Sequence, residues 1–173
     1  DQASRTRLGA FMTYEYFSNP IVEFGAQGFQ GGWLHATRPK RGPTLYFDAT
    51  AIFNPIAAIR SDYFLVAEGR DYDYGIGLGA RGEMRAIWTG KAFVGASTGY
   101  RFIPVISGFP AQHQLFTFNI DGRYYFRGRW GVGATYNQLW RWSAYTDRSD
   151  VNRKASELRL FLATAIPRWE DLK

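Results

Sequence analysis

The amino-acid sequence predicts an all-β fold, a closed antiparallel up-and-down transmembrane β-barrel of about eight strands. Apolar and polar residues alternate with a period of two along most of the chain, the connections between alternating segments are short and long in turn, and aromatic residues gather near the segment ends. The chain has 173 residues and no linker-like stretch. Residues 1–173 are therefore expected to form one domain.

The clearest alternation runs from Tyr74 to Trp88, where apolar residues hold most even positions and glycine or charged residues hold most odd ones. Residues 116–124 and 157–166 show the same pattern. Weaker alternation predicts further strands at residues 5–16, 22–36, 43–53, 91–102 and 129–142. Most of these segments are close to the roughly 9–11 residues that a tilted strand needs to cross a bilayer.

Connections between the predicted strands alternate in length. Short connections are predicted at residues 37–42, 89–90 and 127–129, long ones at residues 54–72, 103–111 and 143–155, and one of middling length at residues 17–21. Membrane barrels have short turns on the inner side of the outer membrane and longer loops outside. Both chain ends are therefore expected on the short-turn side.

Aromatic residues near the predicted strand ends are expected to form girdles at the two membrane interfaces. The candidates are Tyr14, Tyr16, Trp88, Tyr100, Tyr124, Trp130, Trp140 and Trp142. Aromatic side chains favour strands of any kind. The pattern therefore leaves open a soluble barrel, or calyx, that turns its apolar faces inward and binds an apolar ligand.

If the apolar faces meet lipid, the opposite faces fill the interior, and an eight-stranded barrel is just wide enough for side chains to close it. This assignment places seven arginines and six carboxylates inside: Arg7, Glu15, Glu23, Asp48, Arg81, Glu83, Arg85, Arg101, Asp121, Arg123, Arg141, Glu157 and Arg159. The planar fork of arginine suits buried pairing with carboxylates. An internal arginine–carboxylate network is predicted, with a solvated charged face as the alternative. Glycines on the same face, such as Gly77 and Gly133, are expected to leave room for the arginines.

Composition argues against several functions. The net charge of +6 is spread along the chain, which argues against a nucleic-acid partner. No run of about 18 apolar residues predicts a transmembrane helix, and the start DQASRTR lacks a signal-peptide core, so an exported chain would be the mature form. There is no cysteine, which excludes disulfides and thiolate metal sites.

No catalytic, cofactor or metal site is predicted. The histidines are His35, at the short-turn end of the second strand, and His113, whose neighbours Gln112 and Gln114 do not supply the serine that a small-barrel lipid-A deacylase would need. No histidine–carboxylate cluster has metal-ligand spacing. The glycines at residues 75–79 are followed by a strand, so they are not a dinucleotide fingerprint. Catalysis by His113 with Ser97 or Ser107 is kept as an alternative.

Several segments resemble landmarks of uncharacterised small outer-membrane β-barrel proteins of bacteria: YEYFSNP at residues 14–20, EFGAQ at 23–27, RDYDYG at 70–75 and ELR at 157–159. The resemblance covers nearly the whole chain and implies the fold and the outer-membrane location, but no activity.

The leading hypothesis is a non-porous outer-membrane barrel with a structural or interaction role, whose long outer loops contact lipopolysaccharide or an envelope protein. The loop residues expected to make that contact are Arg60, Asp62, Arg70, Arg148, Asp150, Arg153 and Lys154. The alternatives are the soluble calyx and a lipid-modifying outer-membrane enzyme with His113 as the base.

Overall fold

The computed structural model of the protein describes residues 3–19, 22–65, 70–126 and 130–164. The strands are β1 Ala3–Asn19, β2 Val22–Arg38, β3 Thr44–Leu65, β4 Arg70–Trp88, β5 Ala92–Ser107, β6 Ala111–Phe126, β7 Trp130–Tyr145 and β8 Val151–Thr164. They form one sheet in the order β1 to β8, and each strand is antiparallel to the next. The all-β class and the eight up-and-down antiparallel strands are confirmed.

The two outermost strands of the sheet are free edges. Within the described residues no ladder joins β1 to β8. The sheet is therefore not closed.

The prediction of long connections at one end of the sheet is wrong. Residues 54–65 continue β3, residues 70–72 belong to β4, and Ile59 pairs with Asp73, while residues 66–69 lie outside the described residues. The other two expected long loops shrink to residues 108–110 and 146–150. The β3–β4 ladder includes Ala57 to Arg60, and irregularities at Asn54/Ala57 and Arg60/Leu65 interrupt the alternation that would have revealed the strands.

The short connections at the other end agree better with expectation. Residues 39–43 join β2 to β3, and residues 89–91 join β4 to β5. Gly90 has a φ of +72°, a conformation that favours glycine in a tight turn. The predicted turn at residues 127–129, residues 20–21 of the first connection and the predicted strand end at Ile166 lie outside the described residues.

Side chains from distant strands meet on one face of the sheet. Arg101 on β5 lies 2.7 Å from Glu15 on β1, and Arg141 on β7 lies 2.8 Å from Asp62 on β3. Strands four positions apart in a flat sheet would be separated by about 19 Å. The sheet is therefore strongly curled. The concave side is called the inner face below, and the opposite side the outer face.

The apolar core lies on the inner face, at the end of the sheet that carries the β3–β4, β5–β6 and β7–β8 connections. It consists of Val22, Phe24, Ala26, Ala57, Ile59, Ile103, Leu115 and Leu139. This end is called the sealed end, and the opposite one, where β1 begins and β8 finishes, the open end. Apolar side chains therefore fill the interior at the sealed end together with charged ones.

Candidate functional site

The outer face carries large apolar side chains that are exposed. Leu8 on β1 is 82% exposed and Leu162 on β8 is 77% exposed. Others are Met12, Phe29, Phe53, Leu78, Met84, Val94, Ile120, Val132, Leu158 and Leu160. The apolar alternation predicted from the sequence therefore points away from the core along most of the sheet.

All eight predicted girdle residues alternate onto the outer face, in two groups. Trp88, Tyr124 and Trp130 lie near the open end, and Tyr14, Tyr16, Tyr100, Trp140 and Trp142 lie nearer the sealed end. The exposed aliphatic residues lie mainly between these groups.

Twelve of the thirteen charged residues predicted for the interior alternate onto the inner face. Glu23 does not, because it stands between the buried Val22 and Phe24. The Glu23 carboxylate accepts hydrogen bonds from the hydroxyls of Tyr16 (3.1 Å) and Tyr72 (2.6 Å) instead. The apolar residues at this end of β2 fill the core rather than face outward, which reverses the predicted assignment.

A buried carboxylate organises the sealed end. The Asp62 side chain is 1% exposed. Its oxygens accept hydrogen bonds from the Arg141 Nη2 (2.8 Å), the Arg153 Nε (2.8 Å) and the Tyr145 hydroxyl (3.1 Å). Three positions of β7 and β8 are thereby tied to the far end of β3, across the interior.

A second buried group lies beside it. His113 on β6 has its Nε2 3.1 Å from Asp73 Oδ2 and its Nδ1 2.9 Å from Ser143 Oγ. Ser143 Oγ also accepts a hydrogen bond from the Arg141 Nε at 3.1 Å. Because arginine only donates, the serine hydrogen is left to point at His113 Nδ1, and the ring then carries its own hydrogen on Nε2, toward Asp73.

This order of serine, histidine and aspartate is the order found in hydrolytic triads. Here the three side chains are at most 1% exposed, and the serine oxygen is also held by Arg141. In this conformation no substrate reaches the serine. The array therefore ties β4, β6 and β7 together.

The sequence offers Ser97 or Ser107 as partners of His113 and does not reveal Asp73 or Ser143. Asp73 and Ser143 are 40 and 30 residues from His113 in the chain. His113 and Ser143 are directly opposite in the β6–β7 ladder. Correct strand registration would therefore have found the serine.

Aromatic rings cover the sealed end. Tyr63 and Tyr145 meet edge to face at 4.9 Å, and the Arg148 guanidinium lies 4.1 Å from the centre of the Phe109 ring. Arg148 also donates to Asp147 at 3.0 Å. That hydrogen bond lowers the pKa of the Asp147 carboxyl below its usual value and raises the pKa of Arg148.

The residues expected to contact a partner divide into two groups. Asp62 and its partner Arg153 are engaged with each other. The Arg60 side chain is 64% exposed and its Nη1 lies 3.6 Å from Glu23 Oε2, and the Lys154 Nζ lies 5.7 Å from the Trp140 ring on the outer face. Exposed cations therefore remain at this rim.

The inner face near the open end is polar and accessible. Glu83 accepts a hydrogen bond from Arg81 at 3.0 Å and another from the Arg85 Nε. The two arginine side chains are 52% and 46% exposed. A cavity of about 630 Å³ lies here, and Arg7 and Asp48 also line it.

The inner-face glycines do not make room for arginines as predicted. A Cβ on Gly77 would lie 3.0 Å from the Asn54 Oδ1, and a Cβ on Gly133 would overlap the Phe161 ring. The space is occupied by an amide and a phenyl ring. Arg123 lies above that ring, 5.5 Å from its centre.

The part of the chain that the structure describes has no helix long and apolar enough to cross a membrane. Groups of three or more histidine, aspartate or glutamate residues placed to hold a metal ion are also absent from these residues. Comparison with protein-family models, with curated proteins and with solved structures found no match.

Proposed function

We propose that the chain closes into a non-porous eight-stranded barrel in a bacterial outer membrane and has a structural or interaction role there. The observation that carries the proposal is the exposed apolar outer face, which extends from Leu8 on β1 to Leu162 on β8. Monomeric soluble proteins rarely expose apolar patches larger than a few hundred Å². Lipid chains would cover this surface and keep it out of contact with water.

The height of the apolar face fits a bilayer. On β4, the outer-face positions from Ile76 to Ala86 lie between Tyr74 and Trp88. Ten residue steps of about 3.3 Å, in a strand tilted by about 40°, rise about 25 Å. Outer-membrane barrels have an apolar band of about that height between two aromatic girdles.

Closure requires only that the two edge strands pair. In an up-and-down sheet of eight strands, β1 and β8 run in opposite directions, so they can pair as an antiparallel ladder. A strand edge in lipid would leave backbone groups without partners.

The sealed end supports the absence of a pore. The apolar cluster around Phe24, Ile59 and Ile103 and the network around Asp62 fill the interior there. An eight-stranded barrel has little interior space beyond what its side chains fill.

Exposed cations at the sealed end are consistent with an interaction role at the outer surface. Arg60 and Lys154 lie at the rim, close to the aromatic group that includes Trp140. Lipopolysaccharide phosphates are suitable partners for such cations, as is an acidic surface of an envelope protein.

Spin labels on single-cysteine variants would test the orientation of the faces, since the chain has no other thiol. Labels replacing Leu78 and Arg81 sit on opposite faces of β4. We expect the label at Leu78 to collide with lipid-soluble oxygen and the label at Arg81 to collide less with it. The reverse result would favour the soluble calyx.

Electrophoresis would test closure. A closed barrel in detergent runs faster before boiling than after, and its circular dichroism shows β structure. Identical mobilities together with no β signal would contradict the proposal. Planar-bilayer recordings with no conductance steps are expected, and regular steps would exclude a non-porous barrel.

A further inference from the structure

The cavity at the open end is formed by β1–β4 alone. Its volume of about 630 Å³ lies within the range of small-molecule sites. The residues that line it, apart from Leu8, alternate onto the inner face. A Cβ on Gly9 would meet no heavy atom within 4 Å, so the space beside Gly9 on the inner face is empty.

The charges in the cavity are unequal. Arg7, Arg81 and Arg85 supply three positive charges, whereas Asp48 and Glu83 supply two negative ones. Glu83 is shared between Arg81 and Arg85, and Asp48 accepts the Thr50 hydroxyl at 2.9 Å. Among the described residues Arg7 has no ion-pair partner. One guanidinium is therefore free to bind an anion.

One wall of the cavity is apolar. Phe11 exposes 56% of its surface, and Leu34 and Tyr46 lie beside it on the inner face of β2 and β3. The inner-face ring of β8, Phe161, packs over Gly133 and beneath Arg123. That ring is already engaged on the β6–β7 side, and it does not line the cavity.

We propose that this cavity binds an organic phosphate with an apolar substituent. The phosphate lies between Arg7 and the Arg81–Arg85 pair, because guanidinium forks match phosphate oxygens. The substituent lies against Phe11. This site goes beyond the proposed structural role and depends only on β1–β4.

Phenyl phosphate is a suitable probe because it is small and soluble in water. Its ³¹P line is followed as folded protein is added, in a maltoside detergent and a phosphate-free buffer. We expect saturable broadening, at least tenfold weaker binding of inorganic phosphate, and no displacement by neutral phenyl glucoside. Equal binding of inorganic phosphate would overturn the role of the apolar wall, and no saturable binding would overturn the site.

Two variants remove different parts of the site. Arg7→Gln removes the unpaired guanidinium, and Gly9→Leu fills the cavity without changing its charge. Arg7→Gln is expected to weaken binding about tenfold or more, the usual size of a lost charged hydrogen bond, and Gly9→Leu is expected to weaken it as much because its side chain occupies the space of the ligand. Arg159→Gln is the matched control, because Arg159 is on the inner face of β8, outside the cavity, and paired with Glu157.

Binding by Gly9→Leu that equals the parent's, or a loss in Arg159→Gln as large as in Arg7→Gln, would contradict the proposal. Unboiled mobility of each sample reports whether the variant is folded. If the protein proves to be monodisperse without detergent, the membrane proposal fails, and the same titration in buffer still decides the cavity.

Discussion

The two ends of the inner face contain the same kinds of charged residue and bury them to different degrees. At the sealed end the side chains of Arg141 and Asp62 are 3% and 1% exposed. At the open end those of Arg81 and Arg85 are 52% and 46% exposed. The difference arises because apolar side chains from β2, β3, β5, β6 and β7 exclude water at one end only.

This comparison shows what an inner-face charge requires. Where water is excluded, each charge needs a full set of partners, and Asp62 has three. Where water enters, solvent supplies the missing hydrogen bonds, and two arginines can share Glu83. The sealed end therefore holds the fold together, and the open end has charge available for a ligand.

The largest expected effect is that of Asp62→Asn, which removes the charge opposite the buried Arg141 guanidinium. We expect it to lower the free energy of unfolding by about 3–5 kcal/mol, because a buried charge loses its partner. Urea titration followed by tryptophan fluorescence measures this. Asp147→Asn, at an exposed position between β7 and β8, is the control. A loss below 1 kcal/mol for Asp62→Asn would break the distinction between the two ends.

Ser143→Ala removes the hydroxyl between His113 and Arg141. It is expected to lower the free energy of unfolding by about 1–3 kcal/mol, because the buried Nδ1 of His113 loses the serine hydroxyl that donates to it. Ser107→Ala is the matched control, since Ser107 is exposed at the end of β5, and it should change stability by less than about 0.5 kcal/mol. Equal effects in the same unfolding assay would show that the array around His113 contributes nothing.

Arg81→Gln tests the open end. The pair with Glu83 is about half exposed on the arginine side, so its loss is expected to cost no more than about 1 kcal/mol. Added salt should reduce the difference further. A cost comparable to that of Asp62→Asn would show that the open end is as dry as the sealed end.

The smallest expected effect concerns the exposed pair that lies over the sealed end. Arg148 lowers the pKa of Asp147, so the pair contributes above the ordinary aspartate pKa, and its contribution disappears as the pH falls through the lowered value. A carboxyl NMR titration should show the low midpoint, and Arg148→Gln should return it toward the usual value. An unchanged midpoint in Arg148→Gln would show that the pair does not form in solution.

Much of the sheet could be predicted from alternation alone. The strand that includes Tyr74 and Trp88 was placed with the correct faces, because glycine and charge alternate there without interruption. Alternation alone predicts a loop at the ends of β3 and β4, because residues such as Asn54 and Pro55 fall at an irregularity in the ladder. Alternation identifies a regular strand, but a bulge shifts the pattern by one residue and hides the continuation of the strand.

The candidate site was predicted less completely. Alternation along each strand predicts the charged inner-face residues correctly, except for Glu23. There the neighbouring apolar residues pack into the core instead of facing outward, so Glu23 faces outward. Asp62 is buried and not at an outer loop as predicted, and the sequence does not reveal Asp73 or Ser143, because these contacts depend on which strands face each other across the interior.

By itself, the sequence determined the β class, the number of strands and the apolar character of the outer face. Successive side chains of a strand point to opposite faces, so neighbouring residues in the sequence are enough to show this pattern. Only the tertiary structure decided which charges are buried. Asp62 meets the Tyr145 hydroxyl 83 residues away, and Asp73 meets His113 40 residues away. Those contacts come from the curl of the sheet, which brings non-adjacent strands together and excludes water at one end.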